Sequence, residues 1–374
     1  MPWLSATALI HTISVYSKTG DLKQWSIGLS IAAFILSTLG MFLVRSGIVT
    51  SVHAFAADSS RGIYILSFLA LLLLASTIIY MLKLNITREV AFPILSKLFF
   101  ISANSLILVV AISTIIIGTI YPMILEILTR TKISVGAPYF NTVFNPMVIM
   151  LTGLCAIESN LSWMKNYILI FGVALISTSL FSIKINLAKE GLATLGILFG
   201  LWLLFASISL LFTRNKKGSN FCSMVLGHLG FSIIVVSISM NAALTREIRT
   251  QLKIGETVNF LDYDITLSNI YYEKKDNYLT QIAIIGIKSS NLKTSVKPEV
   301  RFFEVEQQQI VEPAIYKTVF SDLYITIDRI YSDQGVPVLI YCRPMIAWLW
   351  FGALLIVIAI LRSAIISITN YFNK

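Results

Sequence analysis

Apolar residues in this chain run in long unbroken blocks, not at the spacing of elements that hide one face and wet the other. The blocks Ser26–Val44, Ile63–Leu82, Ala103–Tyr121, Tyr167–Ile183, Leu192–Thr213, Phe221–Leu244 and Ile346–Leu361 have the length of membrane-crossing helices, since roughly 20 residues of helix traverse about 30 Å of hydrocarbon. Two shorter runs read differently. Val143–Ile157 opens near Pro146 and predicts a short or tilted span, and Met1–Tyr16 reads as a span whose beginning is missing. The latter is not a signal peptide: no basic segment precedes it, and no small-residue cleavage site follows before Lys18 and Lys23.

The pattern changes after residue 244. Asp264–Tyr272, Leu279–Ile287, Val300–Val305, Leu323–Ile330 and Pro337–Tyr341 alternate apolar with polar positions and are rich in Ile, Val, Thr and Tyr. Turn residues such as Lys275–Asp276–Asn277 and Asp333–Gln334–Gly335 separate them, which predicts a small β-sandwich or barrel. The predicted fold is therefore mainly α: a polytopic helical bundle of about eight full spans plus a truncated first one. A β-rich domain at 245–345 separates the membrane region 1–244 from a last helix and tail at 346–374. Pro344 opens that helix, and Trp348 and Trp350 flank it where an interfacial aromatic belt belongs.

Composition agrees, with 56% hydrophobic and 13% charged residues. A net charge of +10 raises the question of a nucleic-acid partner, and its distribution removes it. Segment 245–345 holds 12 Lys/Arg and 13 Asp/Glu, so the excess of cations lies in the membrane region. There, Lys18, Lys23, Lys83, Arg88, Lys97, Lys165, Arg214, Lys216, Lys217, Arg362 and Lys374 fall in one set of alternating loops, and the smaller set Arg45, Arg61, Arg130, Lys132, Lys184 and Lys189 in the other. The positive-inside rule assigns the first set to the cytoplasm and places 245–345 on the outer side.

Three cysteines, Cys155, Cys222 and Cys342, form no CxxC and no disulfide framework; Cys155 and Cys222 read as packing residues in apolar runs. Three histidines carry more information. His11 lies seven residues before Lys18 and His228 eleven after Lys217, about 10 and 16 Å from the flanking cytoplasmic lysines. An imidazole at such depth needs a partner. Haem iron between two neutral imidazoles is one such partner; hydrogen bonding to a neighbouring helix, or a proton relay, is the other, and residue type and depth alone leave both open. His53 reads as an outer-loop residue, in VRSGIVTSVHAFAADSSRG. No Ser/His/Asp set, phosphate-cradling glycine loop or carboxylate pair rises above chance.

Longer strings go further. MPWLSATALIH at 1–11, MFLVRSGIVTSVHAFAADSSRGIYIL at 41–66, KISVGAPYFNTVF at 132–144, GHLGFSI at 227–233, VEPAIYKTVFSDLYITI at 311–327 and IYCRPMIAWLWFG at 340–352 resemble the CcmF family of cytochrome c maturation haem lyase subunits, from the first residue almost to the last. The 41–66 block is long and specific; GHLG alone is weak. The resemblance implies that His11 and His228 ligate a haem b in the membrane, and that His53 is an axial ligand of the haem delivered for attachment. It further implies that electrons from quinol reach the delivered iron through that haem b, and that the haem vinyl groups are joined to a CXXCH motif of apocytochrome c. The partners it implies are apocytochrome c, the haem chaperone CcmE and a CcmH-type subunit, in the bacterial inner membrane with 245–345 in the periplasm, or in the mitochondrial inner membrane.

One departure is large. The family's tryptophan-rich WWD loop and the outer histidine before it belong upstream of MPWL, so a companion polypeptide carrying that loop is expected. Cys342 stands where the family commonly has another polar or basic residue and receives no role. A transporter of haem or another small molecule, and a non-catalytic assembly scaffold, are the alternative functions; the absence of a repeated pair of interrupted spans weighs against the transporter.

Overall fold

The computed structural model describes residues 1–46, 59–83, 93, 96–131, 133, 135–160, 164–185, 190–212, 220–290, 292–305, 307–328 and 335–372. Among them are nine helices: α1 (Pro2–Thr19), α2 (Lys23–Arg45), α3 (Ser59–Leu82), α4 (Lys97–Thr129), α5 (Ala137–Asn160), α6 (Met164–Ile185), α7 (Gly191–Leu211), α8 (Phe221–Leu244) and α9 (Ile346–Phe372). Stretches of α2, α3, α4, α5, α7, α8 and α9, seven in all among the described residues, are long and apolar enough to cross a membrane, and α6 adds the shorter apolar run Ile168–Ile183. The chain is an integral membrane protein. It folds as two compact units, residues 1–180 with 198–215 and residues 181–197 with 216–374.

In the first unit, α1 and α2 form a tight hairpin. Gly20 and Leu22 both take positive φ, 80° and 62°, and the Gly20 N–H closes α1 on the Tyr16 carbonyl. Leu4, Ala8, Thr12 and Val15 are the buried side of α1. Leu4 and Ala8 join Leu29 and Leu36 of α2 and Leu108, Ala111 and Ile112 of α4 in one apolar cluster. Hydroxyls fasten the hairpin: Ser5 Oγ donates to the Leu29 carbonyl at 3.0 Å and Ser26 Oγ to Thr12 Oγ1 at 3.0 Å. Such bonds matter in a bilayer, where apolar burial gives helices little reason to associate.

Two predicted boundaries change here. Val143–Ile157 is not a short span: α5 begins at Ala137 and carries Pro146 in its interior. Likewise α4 is 33 residues long and continues past the predicted end at Tyr121, with Pro122 inside it. A proline removes one backbone hydrogen bond, but in a helix packed among others it bends the path without ending it.

In the second unit, α8 leads into ten antiparallel strands and α9 leads out. One sheet orders as β1 (Arg246–Leu252), β10 (Val336–Pro344), β9 (Ser321–Ile327) and β8 (Ala314–Lys317). The other orders as β2 (Thr257–Phe260), β3 (Tyr263–Lys274), β4 (Leu279–Ser289), β6 (Glu299–Phe303) and β7 (Gln308–Glu312), with β5 (Leu292–Val296) also on β4. Both sheets turn alternate residues into a single core, including Ile265, Leu267, Ile285 and Ile287 from one and Leu323, Ile325, Val338 and Ile340 from the other. This is the predicted β-sandwich.

Its first and last strands are neighbours, with Arg246 opposite Cys342 and Leu252 opposite Val336, so the chain enters and leaves at one place. There Asn241 Nδ2 of α8 donates to the Pro344 carbonyl at 3.0 Å. Further along, α8 and α9 cross at a pair of glycines. A Cβ built on Gly230 lies 2.5 Å from the Gly352 carbonyl oxygen, and one on Gly352 lies 2.7 Å from that of Gly230. Near the other end of the pair, Arg362 Nη1 donates to Ser223 Oγ at 3.0 Å.

Gly230→Leu or Gly352→Leu puts a side chain against a backbone that cannot yield, and is expected to cost about 1–3 kcal/mol or more. Gly172→Leu on α6 meets nothing within 4 Å and is expected to be near neutral. Thermal unfolding in detergent measures the difference.

Candidate functional site

Each transmembrane histidine is set by its own helix. His11 is half-buried at the border of the α1 stripe that packs on α2 and α4. Its Nδ1 lies 2.8 Å from the Thr7 carbonyl oxygen, one turn back. A carbonyl only accepts, so Nδ1 is the donor and Nε2 is the ring nitrogen this bond does not engage. That is the arrangement a metal-ligating imidazole takes, one nitrogen donating to the protein so that the other can bind. The residues fit an axial ligand of haem iron, and His11 does not hydrogen-bond a neighbouring helix through Nδ1.

His228 is half-buried in α8, between two glycines with a packing role. Gly230 makes the close crossing with α9, and a Cβ on Gly227 would lie 3.8 Å from Ala359 Cβ. Gly227 and Gly230 are one turn apart and share the α9 face; His228, one residue on from Gly227, is rotated about 100° from it. The short string GHLG therefore combines a helix-packing face with an imidazole directed off it. Nearer the sandwich on the same helix, Ser239 packs where a Cβ of Gly196 in α7 would lie.

Within their helices the two histidines lie about two turns from an end, His11 eight residues before Thr19 and His228 seven after Phe221, or about 12 and 10 Å. His11 belongs to the first compact unit and His228 to the second. His53 lies outside the described residues. Among the described residues no three His, Cys, Asp or Glu side chains gather into a metal site.

The cysteines divide. Cys155 is buried and accepts from Asn104 Nδ2 at 3.3 Å, as a packing residue does, but Cys222 is exposed. It occupies the first turn of α8 beside Ser223, whose bond to Arg362 turns that neighbour toward α9 and Cys222 away. Cys342 is buried in the sandwich, and burial pushes its thiol above the ordinary range.

One polar group escaped the sequence reading. Lys97 at the start of α4 pairs with Glu158 near the end of α5 at 2.9 Å, with the carboxylate 6% and the ammonium 50% exposed. A carboxylate at a helix C-terminus is opposed by the helix dipole, so the cation compensates both burial and dipole. Asn104, 1% exposed, lies two turns deeper on α4 and leaves its Oδ1 without a partner. Glu158 at the edge of an apolar run was the available signal.

The comparisons with known proteins agree with one another. Residues 243–344 match the family model for the CcmF C-terminal β-sandwich. The chain is 31% identical over 375 residues to a cytochrome c-type biogenesis protein CcmF of Pseudomonas fluorescens, covering 95% of this chain and 56% of that protein. It is 29% identical over 374 residues to CcmF of Escherichia coli K12, covering 95% and 57%, and 31% identical over 379 residues to that of Haemophilus influenzae, covering 95% and 58%. A solved structure, the cytochrome c haem lyase CcmF, superposes with a TM-score of 0.75 at 18% identity over 96% of this chain and 58% of that one. The chain spans a little over half the length of the relatives it matches.

Lys97→Met leaves the buried Glu158 carboxylate without its cation and is expected to destabilise by about 1–3 kcal/mol. Glu158→Gln removes the charge itself and is expected to cost less, with the double variant close to Glu158→Gln; thermal unfolding of the three variants checks the order.

Proposed function

We propose that the chain belongs to the CcmF family, whose C-terminal β-sandwich model matches residues 243–344, and that it serves cytochrome c maturation as part of a haem lyase. In this reading His11 and His228 would ligate a haem b held in the membrane, and His53 would ligate the haem being delivered. The observation that carries the reading is the 2.8 Å contact of His11 Nδ1 with the Thr7 carbonyl, which orients the ring on its own helix and leaves Nε2 as the nitrogen that could bind. The α8–α9 crossing supports it at His228, because a rigid helix pair limits the orientations the imidazole can take.

When bound, haem b supplies one-electron chemistry at its iron. The chain's own residues hold the ligands: Ser5 and Thr12 tie α1 to α2, Gly230 ties α8 to α9, and the apolar helices exclude water from the imidazoles. The delivered haem is substrate. In its attachment a cysteine S–H of CXXCH adds across a vinyl C=C, forming the C–S bond and passing the proton to the other vinyl carbon. Holding thiol and vinyl together is the main task of such a catalyst.

A WWD loop supplies the second ligand of the delivered haem, CcmE brings that haem, a CcmH-type subunit and apocytochrome c complete the assembly, and quinol is the electron donor. The assembly occupies the bacterial inner membrane with the sandwich in the periplasm, or the mitochondrial inner membrane in a host that encodes it there.

Purified from native membranes with the proteins that accompany it there, the protein is expected to show a b-type absorption spectrum. His11→Ala and His228→Ala are each expected to lower haem content by about 10-fold or more; an unchanged spectrum in either variant excludes that ligand. His53→Ala is expected to retain the b-type spectrum while holocytochrome c yield falls; normal yield removes His53 from the reading.

A further inference from the structure

The membrane-proximal end of the sandwich carries side chains that nothing above uses. Between β8 and β9 the chain turns tightly at Thr318–Ser321, closed by Thr318 N to the Ser321 carbonyl at 3.0 Å and Ser321 N to Thr318 Oγ1 at 3.0 Å. The turn projects Val319 and Phe320, which are 63% and 66% exposed. It is fixed to the entrance of α9, where Met345 N donates to the Phe320 carbonyl at 2.8 Å and the Phe320 ring stacks on Trp348 at 6.4 Å between centroids. Leu261, also exposed, tips the neighbouring β2–β3 turn, and Tyr263 beside it packs against the core that includes Cys342.

Cations surround these apolar tips. Lys317 is exposed, and Arg246 reaches back to the Ala243 and Thr245 carbonyls at the end of α8. Arg343 lies one residue before Pro344, its guanidinium 4.6 and 4.9 Å from the ring centres of Tyr324 and Tyr341. Among the described residues the Arg343 guanidinium makes no hydrogen bond or ion pair, although Asp322 is its cross-strand neighbour; that carboxylate is buried and lies against the Thr318 backbone. Asp262 and Glu247 are exposed acidic residues of the neighbouring turn and of β1.

We propose that this end of the sandwich is a lipid-binding surface, in which Val319, Phe320 and Leu261 enter the interfacial layer of the leaflet that α8 and α9 reach, and Arg343 donates to a phospholipid phosphate. Continuity identifies the occupant. The turn is hydrogen-bonded and stacked onto the first residues of a membrane-crossing helix, so the bilayer surface is the apolar medium within its reach. Aromatic and aliphatic tips ringed by Arg and Lys are what that layer accepts, with ring bodies at the acyl boundary and cations among the phosphates. Arg343, held between two rings with its N–H groups unspent, is set to donate to such an anion. The sandwich then has a third attachment beside α8 and α9, which restricts its tilt.

Site-directed spin labelling of the full chain in phosphatidylcholine nanodiscs tests this, in a background with Cys155, Cys222 and Cys342 replaced by Ser and shown to unfold at the native temperature. A label at Phe320→Cys, and independently at Val319→Cys, is expected to be several-fold more accessible to oxygen than to a water-soluble nickel chelate, whereas a label at Ile310→Cys on β7 shows the opposite order. Positions 319 and 320 behaving like 310 would mean they face water, and protection from both reagents would mean that protein covers them; either result overturns the proposal. Adding Arg343→Gln is expected to raise nickel accessibility at position 319, and no change refutes the phosphate contact.

Discussion

Two backbones meet where α8 and α9 cross, and the last third of the chain depends on how closely they do so. Without side chains at Gly230 and Gly352, each helix presents its carbonyl to the other within van der Waals reach. In a bilayer such an approach is a main source of helix association, because lipid tails compete on equal terms with any Leu or Ile at the interface. Polar bonds on either side of the crossing, from Asn241 to Pro344 and from Arg362 to Ser223, then fix its register. The sandwich enters and leaves at the end of this pair, and the close approach of Arg246 and Pro344 in adjacent strands follows the close approach of the helices beneath them.

The same economy of small groups recurs in the first unit, where hydroxyls replace glycines. Ser5, Thr12 and Ser26 join α1 to α2 with two interhelical bonds, while His11 turns its own N–H inward to Thr7. An imidazole committed in this way has one polar group satisfied within its own helix, which lowers its cost in hydrocarbon, and its other nitrogen is the one available to a metal. Tolerance of the bilayer and aptitude for the proposed ligation thus come from one hydrogen bond.

Legibility in the sequence followed the solvent. Long apolar runs announced the helices, because a bilayer demands the same thing of every crossing segment. Helix ends were harder to read, since Pro122 and Pro146 look like terminators and sit inside α4 and α5. In the sandwich, the five predicted strands correspond to β3, β4, β6, β9 and β10, each with a neighbour on both sides. The unpredicted β1, β2, β7 and β8 are sheet edges, and β5 pairs with β4 alone. Central strands alternate strongly because the core requires it; edges such as TVNF or QQIVE are short and polar, as edges exposed to water tend to be. Position made the histidines conspicuous, but the proton on Nδ1 of His11 depends on a carbonyl geometry that no string of letters displays, and the meaning of Gly230 depends on a glycine in another helix.

Placing the first and last strands side by side has a consequence for biogenesis. While the polypeptide emerges, β1 appears early, yet its neighbour in the sheet among the described residues, β10, is the last of the described strands to arrive. Until then β1 and β9 each present an unpaired row of amides, a template for wrong partners. The half-made sheet must therefore wait for about a hundred residues of synthesis, and it is completed just as α9 is due to enter the lipid, so maturation of the sandwich and insertion of the last helix are coupled in time by topology alone.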